Sequence, residues 1–364
     1  MAYQWTTGEV ITAGKLNSTG GVALETLPAK TTVNTWTTLG ATVYGTPGSR
    51  GATIGDNIYV LNIPANPGQG AAYSISAGVF SAIADASTLA SYPGISAYGG
   101  AIYKAGGQDT SVAFNVVERY NPNTNSWTTL AALPATRSML RLSPTDTYLY
   151  ATGGATTRNG TATNVCIQYD PVANSWTTKA TMGTARKHHG AEGVFNGVFV
   201  VSGYDTGGLA LQTTELYTES TNTWSSKASV TSIVSGDTAE AINTSTVFGY
   251  VHLIFAARSA VYNQHTNTWA SIATAPGGVG PTGQSDVAIY LIDANFLSTV
   301  RRYNPDLPGR YKPASPGVAF VYGSSPSNIR NNLTGQNAAT VSFKTGQWLI
   351  NENAGAIDVL ILGG

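Results

Sequence analysis

Charge is scarce in this chain: 19 Lys and Arg against 19 Asp and Glu in 364 residues leave a formal net charge of zero. Binding a phosphate backbone takes a basic stripe, so nucleic acid is excluded as a partner. Cysteine is scarcer still. Cys166, in Asn164-Val-Cys-Ile-Gln-Tyr169, is the single one, which rules out an intrachain disulfide and a thiolate metal cluster. It reads as a small buried strand residue, not a reactive thiol. No run approaches the roughly 18 apolar residues that a bilayer-crossing helix needs, so no membrane insertion is expected. The start, Met1-Ala-Tyr-Gln-Trp5, has neither the basic opening nor the apolar stretch of a secretory signal. The sequons at Asn17, Asn159, Asn243 and Asn332 are accordingly taken as chance in a chain rich in Thr and Asn. What is present is apolar material, 42% of residues with 19 Tyr, too much for a disordered polymer.

Four tyrosines are each followed seven positions later by tryptophan: Tyr120/Trp127, Tyr169/Trp176, Tyr217/Trp224 and Tyr262/Trp269. Tyr73/Phe80 is a degenerate fifth copy. The closing aromatics Trp36, Phe80, Trp127, Trp176, Trp224 and Trp269 stand 44, 47, 49, 48 and 45 residues apart, a period of propeller blades. Within one unit, Gly190–Phe195 and Val198–Gly203 flank Asn196-Gly197, a strong hairpin signal because both turn residues need positive φ. A polar loop, the strand Thr213–Tyr217 and a last strand around Trp224 complete four strands.

The pairs Gly106-Gly107, Gly153-Gly154 and Ser202-Gly203, each followed 13 to 15 residues later by the Tyr/Trp spacing, resemble the kelch motif over about residues 31–310. The Gly-His and Trp-Asp signatures of WD40 blades are missing. The unit near Asp286–Asn304 supplies three strands and Tyr303, but Arg310 stands where its Trp belongs; conversely, Val33-Asn-Thr-Trp36 looks like a final strand with no blade before it. The fold expected is all-β: a six-bladed kelch-like propeller closed by the N-terminal strand, so that no sheet edge is left open at the junction. A five-bladed ring is the alternative if Tyr73/Phe80 is a false copy.

Residues 1–30 precede the ring. Trp5, followed by Gly8-Glu9-Val10-Ile11-Thr12-Ala13 and Lys15-Leu16-Asn17, resembles the opening of tail-fibre and receptor-binding proteins of tailed bacteriophages. That resemblance implies an arm docking on other virion proteins through Trp5, Glu9, Val10, Ile11 and Leu16. Residues 311–364 form a second small β unit, with Ala339, Val341 and Phe343 alternating against Thr340, Ser342 and Lys344, then Trp348–Ile350 and the apolar end Ala356–Leu362. So short a unit covers its own apolar strands poorly, which favours oligomerisation, and the phage resemblance implies a homotrimer.

Copper oxidases on kelch propellers need a Tyr–Cys cross-link and two histidines, and nothing here fits. His188 and His189 are adjacent and point to opposite faces in a strand, so they cannot share a metal. His252 reads as a core residue and His265 lies in a Tyr/Trp turn. No nucleophile elbow, phosphate loop or carboxylate cluster appears, so neither enzyme activity nor cofactor or metal is expected. What remains is a binding face. Loops after the second strands and loops between blades emerge on one side, carrying Gln108, Asp109, Arg137, Arg158, Asn159, Arg186, His188, Tyr204 and Asp205. Rings beside amides, carboxylates and guanidinium groups suit a hydroxylated ligand. Solvated loops look the same, and Arg137 and Arg186, at matching places in consecutive units, equally suit pins between blades. The reading is a non-catalytic virion fibre or receptor-binding protein, made in the cytoplasm of an infected bacterium, that adheres to host surface polysaccharide. A structural fibre or decoration protein, and a kelch protein-interaction module, are the alternatives.

Overall fold

The computed structural model describes residues 35–41, 49–61, 70–88, 90–194, 197–231, 243–247, 250–254, 259–264, 266–274, 282–284, 288–292 and 299–305, with strand residues 328–332, 339–342 and 358–361. The chain divides into two compact units, Asn34–Asn304 and a second built from Met1–Val33 with Pro305–Gly364. The phage-like arm lies outside the described residues, as do the Trp348–Ile350 strand and His265. In the second unit, Asn328–Asn332 is the central strand, paired antiparallel with Ala339–Ser342 and with Asp358–Ile361. The two outer strands were expected. The central one was not, because Asn-Ile-Arg-Asn-Asn offers no apolar alternation.

The first unit is a six-bladed propeller, and no helix occurs among the described residues. Five blades are four-stranded sheets in chain order, beginning with Arg50–Ile54, Asn57–Leu61, Gly70–Ser74 and Val79–Ile83. The sixth combines Thr282–Gln284, Ile289–Ile292 and Thr299–Asn304 with Thr35–Ala41 from the other end of the repeat array. Trp36 stands opposite Tyr303 in that ladder, as Trp127 stands opposite Tyr120. The closing strand is thus where the sequence puts it, and the Tyr73/Phe80 unit is a real blade, which disposes of the five-bladed alternative.

Burial within each blade follows strand order. Second strands such as Gly197–Val201 are buried throughout, while outer strands such as Ser126–Thr129 bury little beyond their aromatic. The core is therefore shared out between neighbouring sheets. Tyr103, Leu149 and Tyr169 pack between blades two and three, and Phe199, Val251 and Tyr262 between blades four and five.

Between those apolar layers runs a repeated hydrogen-bonded grip. In blades two to five the Tyr hydroxyl donates to an asparagine five residues on, Asn125, Asn174, Asn222 or Asn267, at 2.7–3.0 Å. Each asparagine sits in the left-handed region, φ 47–53°, which asparagine tolerates better than most residues. Its Oδ1 also accepts the backbone N–H of an alanine in the preceding blade's exit: Ala84, Ala131, Ala180 or Ala228. The tryptophan two residues later donates Nε1–H to the carbonyl of the same alanine, at 2.8–2.9 Å. One blade thus takes both polar groups of a linker residue that has left its own ladder, groups that would otherwise be orphaned.

Replacing Trp176 by Phe keeps the ring packing and strands the Ala131 carbonyl, which should cost about 2 kcal/mol; Asn174→Ala removes two acceptor contacts and forces alanine into the left-handed region, for about 3 kcal/mol. Urea unfolding monitored by tryptophan fluorescence reads both as lower midpoints.

Candidate interaction face

The glycine pairs end the second strands because linker backbone passes over them. A Cβ on Gly106 would collide with the Arg137 carbonyl, and one on Gly153 with that of Arg186. The gap lets Gly107 N–H donate to Arg137 O and Gly154 N–H to Arg186 O. The arginine side chains then reach forward. Arg137 Nη1 donates to Gly153 O and Thr163 Oγ1 of blade three; Arg186 Nη1 donates to Ser202 O and Thr213 O of blade four. Arg186 Nη2 adds Thr213 Oγ1 and an ion pair to Glu215 Oε1 at 2.6 Å.

Arg137 and Arg186 are therefore pins between blades, not ligand contacts: they are 5% and 0% exposed. Glu215 turns its oxygens on Gly183 and Thr184 N–H as well. In blade two the matching Glu118 holds Ser87 and the buried Lys104. Neither ion pair stands out in sequence until the two glutamates are aligned, each two residues before its blade's tyrosine.

His188 is also withdrawn from the surface, at 3% exposed, its ring set edge-on to Tyr92 at 4.9 Å between centroids and to Tyr204 at 6.1 Å. Tyr92, Met139 and His188 share a left-handed backbone, φ 55–58°, and are strung together by Met139 N–H to Tyr92 O and His188 N–H to Met139 O. His189 faces elsewhere, meeting Thr152 Oγ1 through Nε2, and its carbonyl accepts Arg141 Nε–H. The two rings have different neighbours, but not for the reason expected: His188 lies in a bend with left-handed backbone and His189 precedes the strand Gly190–Val194, so strand alternation does not apply. No group of three or more His, Cys, Asp and Glu that could hold a metal occurs among the described residues. His252 is buried in its strand and Cys166 is buried, its thiol pushed up to about 12 by desolvation.

The remaining positions converge. Gln108 is buried but spans two blades: its Nε2 donates to Asn159 Oδ1, and its Oε1 accepts Asn159 N–H. Arg158 Nε donates to Asp109 O, and Lys187 Nζ to Gly160 O. Lys187 in turn pairs its backbone with Tyr204. The loops of blades two, three and four are thereby cross-bonded into one ridge, with Asp109, Arg158 and Asn159 exposed and Tyr204 and Asp205 half-buried. Asp109 Oδ1 takes the N–H groups of Ser111 and Val112, and Asp205 Oδ1 those of Gly207 and Leu209. Those donors, Val112 foremost, hold the Asp109 carboxyl below its usual value. Each aspartate builds a turn that lifts an aliphatic side chain into water, Val112 at 51% and Leu209 at 61% exposed. Sequence reading passed over both tips, though each follows an Asp-Thr a few residues after a glycine.

Residues 90–134, one blade with its entry and exit, match the Kelch motif family model. The solved structure titled "Structure of YjhT" superposes with a TM-score of 0.61 at 13% identity, covering 71% of this chain and 94% of that one. At such identity the likeness concerns fold alone. No curated protein matches the chain. The chain is a six-bladed β-propeller bearing a kelch motif.

Burial fixes the response to pH. Desolvation, aided by the positive charges of Arg50 and Arg141 at His188 and of Arg186 and Arg141 at His189, pushes both imidazoles well below 6.5. Folded histidine stays neutral while the unfolded chain takes up protons, so stability is unaffected above pH 6.5 and falls below it, by at most about 1.4 kcal/mol per histidine per pH unit. Thermal melts from pH 8 to 5 should show this, and His188→Asn, a residue at ease at that φ, should flatten the decline. Glu118 acts lower. Burial opposes its charge, but Lys104 and Ser87 outweigh that and lower its pKa, so its contribution, complete above pH 4.5, disappears under stronger acid.

Proposed function

We propose that the propeller is a non-enzymatic binding module whose contact surface is the ridge formed by the loops of blades two to four. The observation that carries this is the cross-bonding of Gln108 to Asn159, Arg158 to Asp109 and Lys187 to Gly160. Surface loops need no such ties, and loops ordered in advance lose little entropy when a ligand arrives. The exposed groups, Asp109, Thr110, Ser111, Thr156, Thr157, Arg158 and Asn159, offer donors and acceptors with little net charge. That chemistry suits a neutral hydroxylated ligand, with half-buried Tyr204 as the nearby ring.

The finer reading is a virion fibre that adheres to a bacterial surface polysaccharide, joined to other virion proteins by residues 1–30 and assembled as a homotrimer. It rests on the Trp5–Asn17 resemblance. Three copies in one particle would make weak single contacts sufficient, through a raised effective concentration. The exposed Val112 and Leu209 favour a second reading, a protein partner with apolar recesses, which is also the use that the kelch motif suggests.

Purified bacterial surface polysaccharides, immobilised in a panel, distinguish these. Retention on one of them with polymer length unchanged, weakened about tenfold by Arg158→Ala and hardly at all by Leu209→Ser, is expected; tenfold corresponds to about 1.4 kcal/mol. Shortening of the polymer would mark an enzyme, and binding to none of the panel would sink the adhesin. Light scattering should give about three times 37.8 kDa for the trimer.

A further inference from the structure

The grip that fastens blades two to five to their predecessors cannot form at the junction of blade six with blade one. There the motif reads Tyr73-Ser-Ile-Ser-Ala-Gly78-Val-Phe80. Gly78 has the left-handed backbone of the four asparagines, φ 70°, but no side-chain oxygen to accept with. Phe80 packs on Tyr73 at 4.9 Å, much as the tryptophans pack on their tyrosines, but has no ring N–H to donate. Four residues after Trp36, where the other copies have an alanine beyond the ladder, stands Gly40, which is still paired in its own strand opposite Val300. Among the described residues, the contacts between the two blades include apolar packing of Ile58, Val60 and Tyr73 with Tyr290 and Ile292, and Gln284 N–H to Thr53 Oγ1 at 3.0 Å.

This same junction borders the strand that closes the ring. Thr35–Ala41, like the outer strand of every blade, has a ladder partner on one side, Thr299–Asn304, and its register shifts between Thr38 and Gly40, in the half that leads toward blade one. Every other blade is closed by a strand contiguous with its own chain.

We infer that the junction between blades six and one is the built-in opening point of the ring: release of Thr35–Ala41 and separation of blade one from blade six occur as one step, below the energy needed to unfold blades two to four. Local openings of this kind follow the regions with fewest buried hydrogen bonds across them. Because the releasing strand continues directly from the residues before Thr35, anything that holds those residues acts on the same equilibrium.

Amide hydrogen exchange on the full chain, resolved by blade, tests this. Amides of 35–41, 50–83 and 282–304 should exchange together, at least tenfold faster than those of 94–178. The double substitution Gly78→Asn with Phe80→Trp should slow the fast group about tenfold and leave 94–178 unchanged. Among the described residues a Cβ at Gly78 meets only Tyr73 Oη, at 3.9 Å, so an asparagine acceptor there would lie near that hydroxyl. Equal protection in all blades overturns the inference, as does rapid exchange of 35–41 alone with blade one protected. A folded double variant with unchanged exchange overturns it equally.

Discussion

The rest of the propeller depends on how one blade holds the backbone that leaves the blade before it. A four-stranded antiparallel sheet of about twenty residues has too little core to stand alone, so each blade must bury a face against two neighbours. Apolar layers such as Tyr103 and Leu149 against Tyr169 provide the driving force but tolerate sliding. The asparagine and tryptophan of the grip do not, since they take the N–H and the C=O of one alanine and so fix a single register between sheets. The tyrosine hydroxyl, bonded to that asparagine, fixes the acceptor in turn. Spacing and packing thus come from one seven-residue interval.

Around this constant, the blades vary how they hold the loop side. Blade two uses Lys104 with Glu118, blade four Arg186 with Glu215, and blade three Arg137 on carbonyl and hydroxyl oxygens, with Ile167 at the position of the two glutamates. A buried ion pair gains little net stability after desolvation, yet losing one partner strands the other at a cost of several kcal/mol. These pins therefore act as constraints on which linker meets which loop more than as sources of stability. Their variation shows that the backbone geometry has several side-chain solutions, and the alanine grip has one.

The ring architecture was legible because aromatic spacing is a one-dimensional signal. Tyr/Trp intervals, glycine pairs and the half-blades at either end of the array together imply six sheets and a closing strand, and the ladder of Trp36 against Tyr303 agrees. The asparagine and alanine of the longer pattern, Tyr-x4-Asn-x-Trp-x3-Ala, were equally visible but carried no meaning until hydrogen bonds joined them across blades. Exposure was not legible. Gln108 and Asn159 are chemically alike, yet one is buried as a bridge and the other exposed. Arg186 and Arg158 divide the same way, because the difference lies in which backbone carbonyls surround the guanidinium. Sequence gives polarity; the third dimension decides whether it faces water or protein.

The interaction ridge and the grip are parts of one arrangement. The linker that enters blade three carries Arg137, whose carbonyl receives Gly107 and whose guanidinium holds the next loop, so fastening the blades also fastens the loops that rise above them. Among the described residues, blades two to four hold the pins and the cross-bonded loops, while the junction that lacks the grip lies on the other side of blade one. Tied loops over blades two to four and a missing grip beside the strand that joins the two ends of the repeat array both follow from where the motif is complete. A closed ring has to contain one place where strands from the two ends of the repeat array pair, and here it is Thr35–Ala41 on Thr299–Asn304 within blade six. With the grip missing beside that strand and the loops tied elsewhere, an opening at the ring's seam would leave the cross-bonded loops of blades two to four in place.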